Sequence, residues 1–328
     1  MGNTHLRGLL RNRHIKVVAV CDPDPNKLRG ELLGSKIDSY TGKLGVMDVS
    51  NIQRYTNFLE LLDDPEVDMI VLCVPTYLHS QMTRQGLQSG KHVFCEKPMG
   101  LNYKETTRMI EAAEKTGKKL MIGQCLRFWP EYILLKTMID NGRFGKVNSA
   151  VFRRFGAFPD WSGDGWMSDV KQSGSAVLSL HIHDTDTVLW FFGKPKGVSS
   201  FGSVGIDGGL QHVMTNYLYK NIPMVCSEGG WLPGDVPFTM TVKIVFELAT
   251  VEYDLNKHPT TVIYHADGTE EPAEIPGGYG HDDELAYFIN CIEENIPPHR
   301  CLPTDSAMSV KIVEAELESA KKRKSIDL

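Results

Sequence analysis

Residues 67–74 read VDMIVLCV, an almost unbroken apolar run halted by Pro75, and such a run must be buried on both faces. Shorter runs of the same kind occupy residues 15–20 (IKVVAV), 92–95 (HVFC) and 120–123 (LMIG). Between them lie stretches of helical character at 25–33, 77–89 and 103–116, the last closed by Gly117. Strand, helix and strand at this spacing predict repeated βαβ units and a doubly wound parallel sheet.

The pattern changes at about Gly145. Residues 147–155, 197–204, 211–219, 224–228 and 238–248 read as strands, most of them separated by turns containing Gly, Pro or Asp. That predicts a largely antiparallel sheet. A helix is expected over 175–192, ended by Gly193-Lys194-Pro195, with closing helices at 282–294 and 304–322. A chain of 328 residues exceeds what one core comfortably serves, so two domains are expected, 1–125 and 126–328.

Charge and cysteine usage narrow the function. A net charge of −6 argues against nucleic acid as a partner, since that affinity comes from cations neutralising phosphates. Lys321-Lys322-Arg323-Lys324 ends a helix, where cations favour the dipole, and reads as a solvated end. No run of ~20 apolar residues is present to span a bilayer, and the first residues lack the pattern of a signal peptide. The seven cysteines are odd in number, with Cys21, Cys73 and Cys95 in or ending apolar runs, which suits free thiols in the cytoplasm.

Two places carry chemistry on their own residues. Asp22 ends a strand about 20 residues after Gly2, where an acid accepts the ribose hydroxyls of NAD and repels the extra phosphate of NADP. It reads equally as the opener of an Asp-Pro turn. Glu96-Lys97-Pro98 follows the apolar run at 92–95, at the carboxyl edge of the sheet where ligands of open α/β folds bind. A lysine held there can donate to a substrate hydroxyl and stabilise developing oxyanion charge.

The stretch GLQSGKHVFCEKPM at 86–99 resembles the signature of the glucose–fructose oxidoreductase/inositol dehydrogenase (Gfo/Idh/MocA) family. The resemblance extends through Val74-Pro75-Thr76-Tyr77-Leu78-His79, Gly123-Gln124-Cys125-Leu126-Arg127-Phe128, Ser173-Gly174-Ser175 and Leu180-His181-Ile182-His183-Asp184-Thr185-Asp186 to the last helix. It implies a Rossmann domain for NAD, followed by an α+β domain whose large open sheet often forms a homodimer or homotetramer interface. The implied reaction is hydride transfer between the nicotinamide and a sugar, sugar derivative or cyclic polyol hydroxyl carbon. Lys97 would then orient the reacting hydroxyl and His183 serve as acid/base. Gly2, Pro75, Thr76, His79, Glu96 and Lys97 would line the cofactor, and Arg127, Trp166 and Ser179 the substrate. Trp129 and Trp161 are equally suited to binding a sugar and to packing a seam. No metal is implied.

Two departures stand out. Many members carry Asp four residues before the histidine, where this chain has Ser179; Asp186 is expected to compensate in part. His181 points roughly 200° away from His183 on an α-helix, so it is expected to pack. The family's first strand and its remaining glycines have no counterpart before Met1, so roughly ten further residues are expected upstream of an internal methionine, with a gap or substitute strand beside residues 17–20 otherwise. These departures keep open a ligand-sensing relative without chemistry, or one that uses NAD to cleave a glycosidic bond.

Overall fold

The computed structural model describes residues 1–29, 49–159, 163–205 and 207–328. The first half runs α1 (Gly2–Arg11), β1 (Ala19–Cys21), β2 (Gln53–Tyr55), α2 (Phe58–Leu62), β3 (Met69–Leu72), α3 (Thr76–Gln88), β4 (His92–Glu96), α4 (Tyr103–Thr116) and β5 (Leu120–Gly123). Strands β3, β4 and β5 pair in parallel in that order, Leu72 beside Cys95 and Cys95 beside Ile122. Val93, Phe94, Cys95, Met121 and Ile122 are all fully buried, as the unbroken apolar runs require. Helix α4 begins on a capping box: the Asn102 side chain accepts the Glu105 N–H at 3.0 Å and donates back to its carboxylate at 2.9 Å. It ends where Gly117 turns left-handed at φ 66°.

The parallel sheet is in two pieces. Among the described residues β1 pairs with β2 alone, and β3–β4–β5 forms a separate sheet. The break lies beside β1. With a ladder on one side only, the run at 15–20 yields just Ala19–Cys21 as strand. The helix expected over 25–33 is a 3₁₀ turn at Lys27–Arg29, and its remainder lies outside the described residues.

The second half runs α5 (Pro130–Asp140), β6 (Val147–Ala157), α6 (Val170–Ser173), α7 (Ile182–Phe192), β7 (Gly197–Val204), β8 (Leu210–Leu218), β9 (Met224–Leu232), β10 (Thr239–Phe246), β11 (Ala249–Asp254), β12 (Thr261–His265), β13 (Glu270–Pro272), α8 (Gly280–Glu293), α9 (Pro303–Lys322) and β14 (Ile326–Asp327). Nine strands form one sheet in the order β13-β12-β11-β10-β6-β9-β8-β7-β14. All neighbours are antiparallel except β6 and β9, whose connection crosses over through α6, α7, β7 and β8. One face alternates into a core with α5, α7 and α9 that includes Tyr132, Phe152, Phe191, Val242 and Ile312. The other face leaves Phe201, Met214, Leu218 and Met224 exposed.

The helix expected over 175–192 is two structures. A π-turn covers Val177–His181 and α7 continues from Ile182. The turn is entered through Gly174 at φ 75° and Ser175 at φ 63°. Ser175 is held in that costly conformation by its hydroxyl, which lies 2.8 Å from the Asp207 carboxylate and 3.1 Å from the Leu210 carbonyl and shares its one proton between them. Val177, Leu178 and Ile182 then pack into the cluster built on Leu72, Val93 and Ile122, together with Ala307, Val310 and Val313 of α9. Burial of each such side chain is worth about 1.5–3 kcal/mol, so the segment carrying His183 is fastened directly to the parallel sheet. Among the described residues no helix is long and apolar enough to cross a membrane, and all seven cysteines are free.

Candidate active site

Strand β4 ends by delivering Glu96 and Lys97 to the carboxyl edge of the sheet, and the π-turn brings a second segment to the same place. The Lys97 ammonium donates to the Ser179 carbonyl at 2.7 Å. A π-turn displaces carbonyls from the regular helical ladder, which leaves one for a side chain from another element. Lys97 and His183 are both half-buried, so each keeps access to solvent. Burial pulls the Lys97 amine below its ordinary range, with the Arg154 charge acting the same way and Glu96 opposing. His183 is drawn well below the ordinary imidazole value by burial and by the charges of Lys97, Arg154 and His281. Its Nδ1 is buried without a hydrogen-bond partner among the described residues. A cationic donor and a neutral imidazole therefore share one electrostatic neighbourhood.

Arg154 of β6 is locked behind them. Its Nε and Nη2 reach the two oxygens of Asp184 at 3.0 and 2.9 Å, and Nη2 also donates to the Tyr132 hydroxyl at 3.2 Å. With both partners buried, the guanidinium is a fixed positive charge and Asp184 has no free oxygen for a ligand.

Several expected site residues are otherwise engaged. Arg127 is 2% exposed; it grips Asp186 through Nε and Nη2 at 2.8 and 2.9 Å, and its Nη1 donates to Asp305 and the Arg300 carbonyl. It is a buried cross-brace, so the expectation of substrate contact is corrected, as is any compensating role for Asp186. The Ser179 hydroxyl likewise turns inward to the Ser173 carbonyl at 3.1 Å, leaving only the residue's backbone at the site. His79, expected along the cofactor, has its two ring nitrogens on the carbonyls of Pro98 and Val74 at 2.7 and 2.8 Å. Burial would lower its pKa, but Cys95 and those two carbonyls hold it up at about 9. It spans two loops and has no nitrogen left for a ligand. Glu96 is buried too: Oε1 meets His5 Nε2 at 2.5 Å and Oε2 accepts the Lys97 N–H at 3.1 Å. Burial raises its carboxyl, yet the His5 hydrogen bond and the charges of His5, His281 and Lys97 override this and hold it at about 2.

His181 packs as expected, fully buried against Ser227 at 3.2 Å and Glu316 at 3.4 Å. Trp166 is half-buried on the 3₁₀ turn Gly163–Ser168, and Trp161 lies outside the described residues. Trp129 stacks edge-on against His281 with ring centroids 6.0 Å apart, and tilts against Tyr279 at 5.9 Å. His281, Glu284, His5 and Arg154 were not singled out in the sequence; each needs partners from distant elements to acquire meaning.

Helices α1 and α3 both start at the carboxyl ends of parallel strands, and neither has a side-chain cap on its first N–H groups. Uncapped donors at a helix start suit a pyrophosphate. Gly2 sits against Cys73 just past β3, where an added Cβ would meet ordinary contact at 3.7 Å, so packing alone does not demand glycine. Pro75 and Thr76 form the cap and first residue of α3. Asp22 follows β1 and accepts the Asp24 N–H at 2.9 Å on Oδ1, with Lys27 at 3.8 Å from the same oxygen; among the described residues Oδ2 has no hydrogen-bond partner.

Comparison with known proteins agrees with this geometry. Residues 1–124 match the Gfo/Idh/MocA family described as an oxidoreductase family with an NAD-binding Rossmann fold, and residues 132–264 match the Gfo/Idh/MocA C-terminal domain. An inositol 2-dehydrogenase/D-chiro-inositol 3-dehydrogenase from Lactiplantibacillus plantarum is 30% identical over 337 residues, covering 97% of this chain and 88% of that protein. The myo-inositol 2-dehydrogenase of Thermotoga maritima is 34% identical over 167 residues, 50% of this chain and 47% of the relative. With several curated relatives the match thus spans about half their length. The WlbA dehydrogenase of Bordetella pertussis, solved with NADH and UDP-GlcNAcA, superposes at a TM-score of 0.80 with 21% identity, covering 100% of this chain and 95% of that one. With a Rossmann-like parallel sheet, a large mostly antiparallel sheet and both domain signatures in order, the chain belongs to the Gfo/Idh/MocA family of oxidoreductases.

Proposed function

We propose that this chain is an NAD-dependent dehydrogenase acting on a hydroxyl-bearing carbon of a sugar, sugar derivative or cyclic polyol. The observation that carries the reading is a Lys97 ammonium held on the Ser179 carbonyl, whose charge acts with burial and neighbouring cations to keep the His183 imidazole neutral. Bound NAD supplies the hydride acceptor. Lys97 keeps donors beyond the one spent on Ser179, and these hold the reacting hydroxyl and stabilise its developing charge. His183 takes the hydroxyl proton, which a neutral imidazole can do and a protonated one cannot. Asp22 selects NAD over NADP. The uncapped starts of α1 and α3 receive the pyrophosphate. The inositol dehydrogenases among the relatives support a polyol substrate.

A homo-oligomer in the cytoplasm completes this reading, with the exposed Phe201, Met214, Leu218 and Met224 on the open sheet face as its contact. One observation favours the alternative of a ligand sensor without chemistry: Ser179 offers no carboxylate and its hydroxyl is already engaged. Nicotinamide absorbance, followed across a panel of inositols, aldoses and sugar acids with NAD, is the deciding experiment. Turnover on at least one polyol or sugar supports the dehydrogenase. Calorimetric binding of such a ligand with no hydride transfer establishes the sensor.

A further inference from the structure

His5 of α1 and His281 and Glu284 of α8 converge from opposite ends of the chain. One ligand atom from each lies within 4.8 Å of the other two. Two atoms of these side chains are orphans: His5 Nδ1 and Glu284 Oε2 are buried without a hydrogen-bond partner among the described residues, on residues 1% and 0% exposed. Buried polar groups in folded proteins almost always find a partner, and two orphans on neighbouring side chains call for a shared one.

The surroundings narrow what that partner is. The other nitrogen of His5 is held by Glu96 at 2.5 Å, the carboxylate–histidine arrangement that fixes the tautomer and leaves Nδ1 with a lone pair for a ligand. His281 Nδ1 stands 3.4 Å from Glu284 Oε1, and the His5 and His281 rings meet edge-to-face with centroids 5.8 Å apart. Two imidazoles and one carboxylate form a donor set suited to a first-row divalent cation. A dication also balances the two carboxylates, Glu96 and Glu284, buried around the pocket. The His281 side chain is 17% exposed and gives an ion a way in.

We propose that His5, His281 and Glu284 form a binding site for one divalent transition-metal ion of the Zn²⁺ type, with Glu96 bracing His5. The ion ties the first turns of α1 to the start of α8. It takes no part in hydride transfer, and the site stands independently of the dehydrogenase reading.

The test uses the full chain, stripped with a chelator and titrated with Zn²⁺ by calorimetry and with Co²⁺ by visible absorption. One Zn²⁺ per chain with a Kd below about 10 μM, and a Co²⁺ d–d band, are expected. His281→Ala and Glu284→Gln should each weaken Zn²⁺ binding at least ~100-fold, since the first removes a ligand and the second the carboxylate charge, and abolish the rise in Tm that Zn²⁺ gives the unaltered chain. Should Glu284→Gln fail to fold, His281→Ala, at a partly exposed position, decides alone. Absence of stoichiometric binding to the unaltered chain overturns the site, as does Zn²⁺ affinity unchanged in His281→Ala.

Discussion

The Lys97 ammonium reaches the Ser179 carbonyl at 2.7 Å, joining residues 82 positions apart. This contact sets the end of a parallel strand against the turn that precedes His183. The serine that replaces the family's usual aspartate thus acts on the lysine through its backbone, whatever its side chain does.

Lys97→Met should lower turnover at least ~100-fold, the scale of losing one positioned electrostatic donor, while circular dichroism shows the fold retained. Undiminished turnover in a folded variant would remove Lys97 from the mechanism.

The pH profile of kcat/KM for alcohol oxidation should lose its activity on the acid side below pH 6.5, the ordinary imidazole value. Burial and the charges of Lys97, Arg154 and His281 depress the pKa of His183, so the base stays neutral at lower pH than a free histidine. Stability carries the same sign. Below pH 6.5 the unfolded chain takes up a proton that folded His183 refuses, so this contribution is present above that pH and is lost as pH falls towards the folded value. His183→Asn should flatten that part of the stability profile, measured by urea titration at several pH values. An acid limb centred at or above 6.5 in the unaltered enzyme would contradict the assignment.

Arg127→Ala should destabilise the fold by about 3–5 kcal/mol, because it leaves Asp186 buried without its cation. Denaturant unfolding measures this directly. A variant of unaltered stability whose only defect is a raised KM would return Arg127 to the substrate site.

Asp22→Ser should shift the NADP-to-NAD ratio of kcat/KM upward by about tenfold or more, since a 2′-phosphate then meets a hydroxyl in place of a carboxylate, with Lys27 nearby to receive it. Steady-state kinetics with both cofactors checks it. An unchanged ratio would place Asp22 in its turn alone.

The runs at 67–74, 92–95 and 120–123 announced a buried parallel sheet from the residues alone, because a strand covered on both faces has no polar side to write. Helix α4 was legible to the residue, since Asn102, Glu105 and Gly117 encode its ends in local chemistry. Strands β11 and β12 passed unnoticed. Their alternation, buried at Val251 and Tyr253 but carrying Glu252 and Asp254 on the open side, is too brief to stand out from a turn-rich stretch.

The site divides along the same line. By itself the sequence determined that a lysine ends a central strand and that a histidine sits on a distant helical segment. It could not tell a free guanidinium from a spent one: Arg127 looked like a sugar ligand until Asp186 and Asp305 were found to consume its donors. Nor could it show that His5 and His281 share a pocket. Hydrogen-bond capacity is a property of a side chain, but whether any remains depends on which partners the fold brings within about 3 Å, and only the tertiary structure decides that.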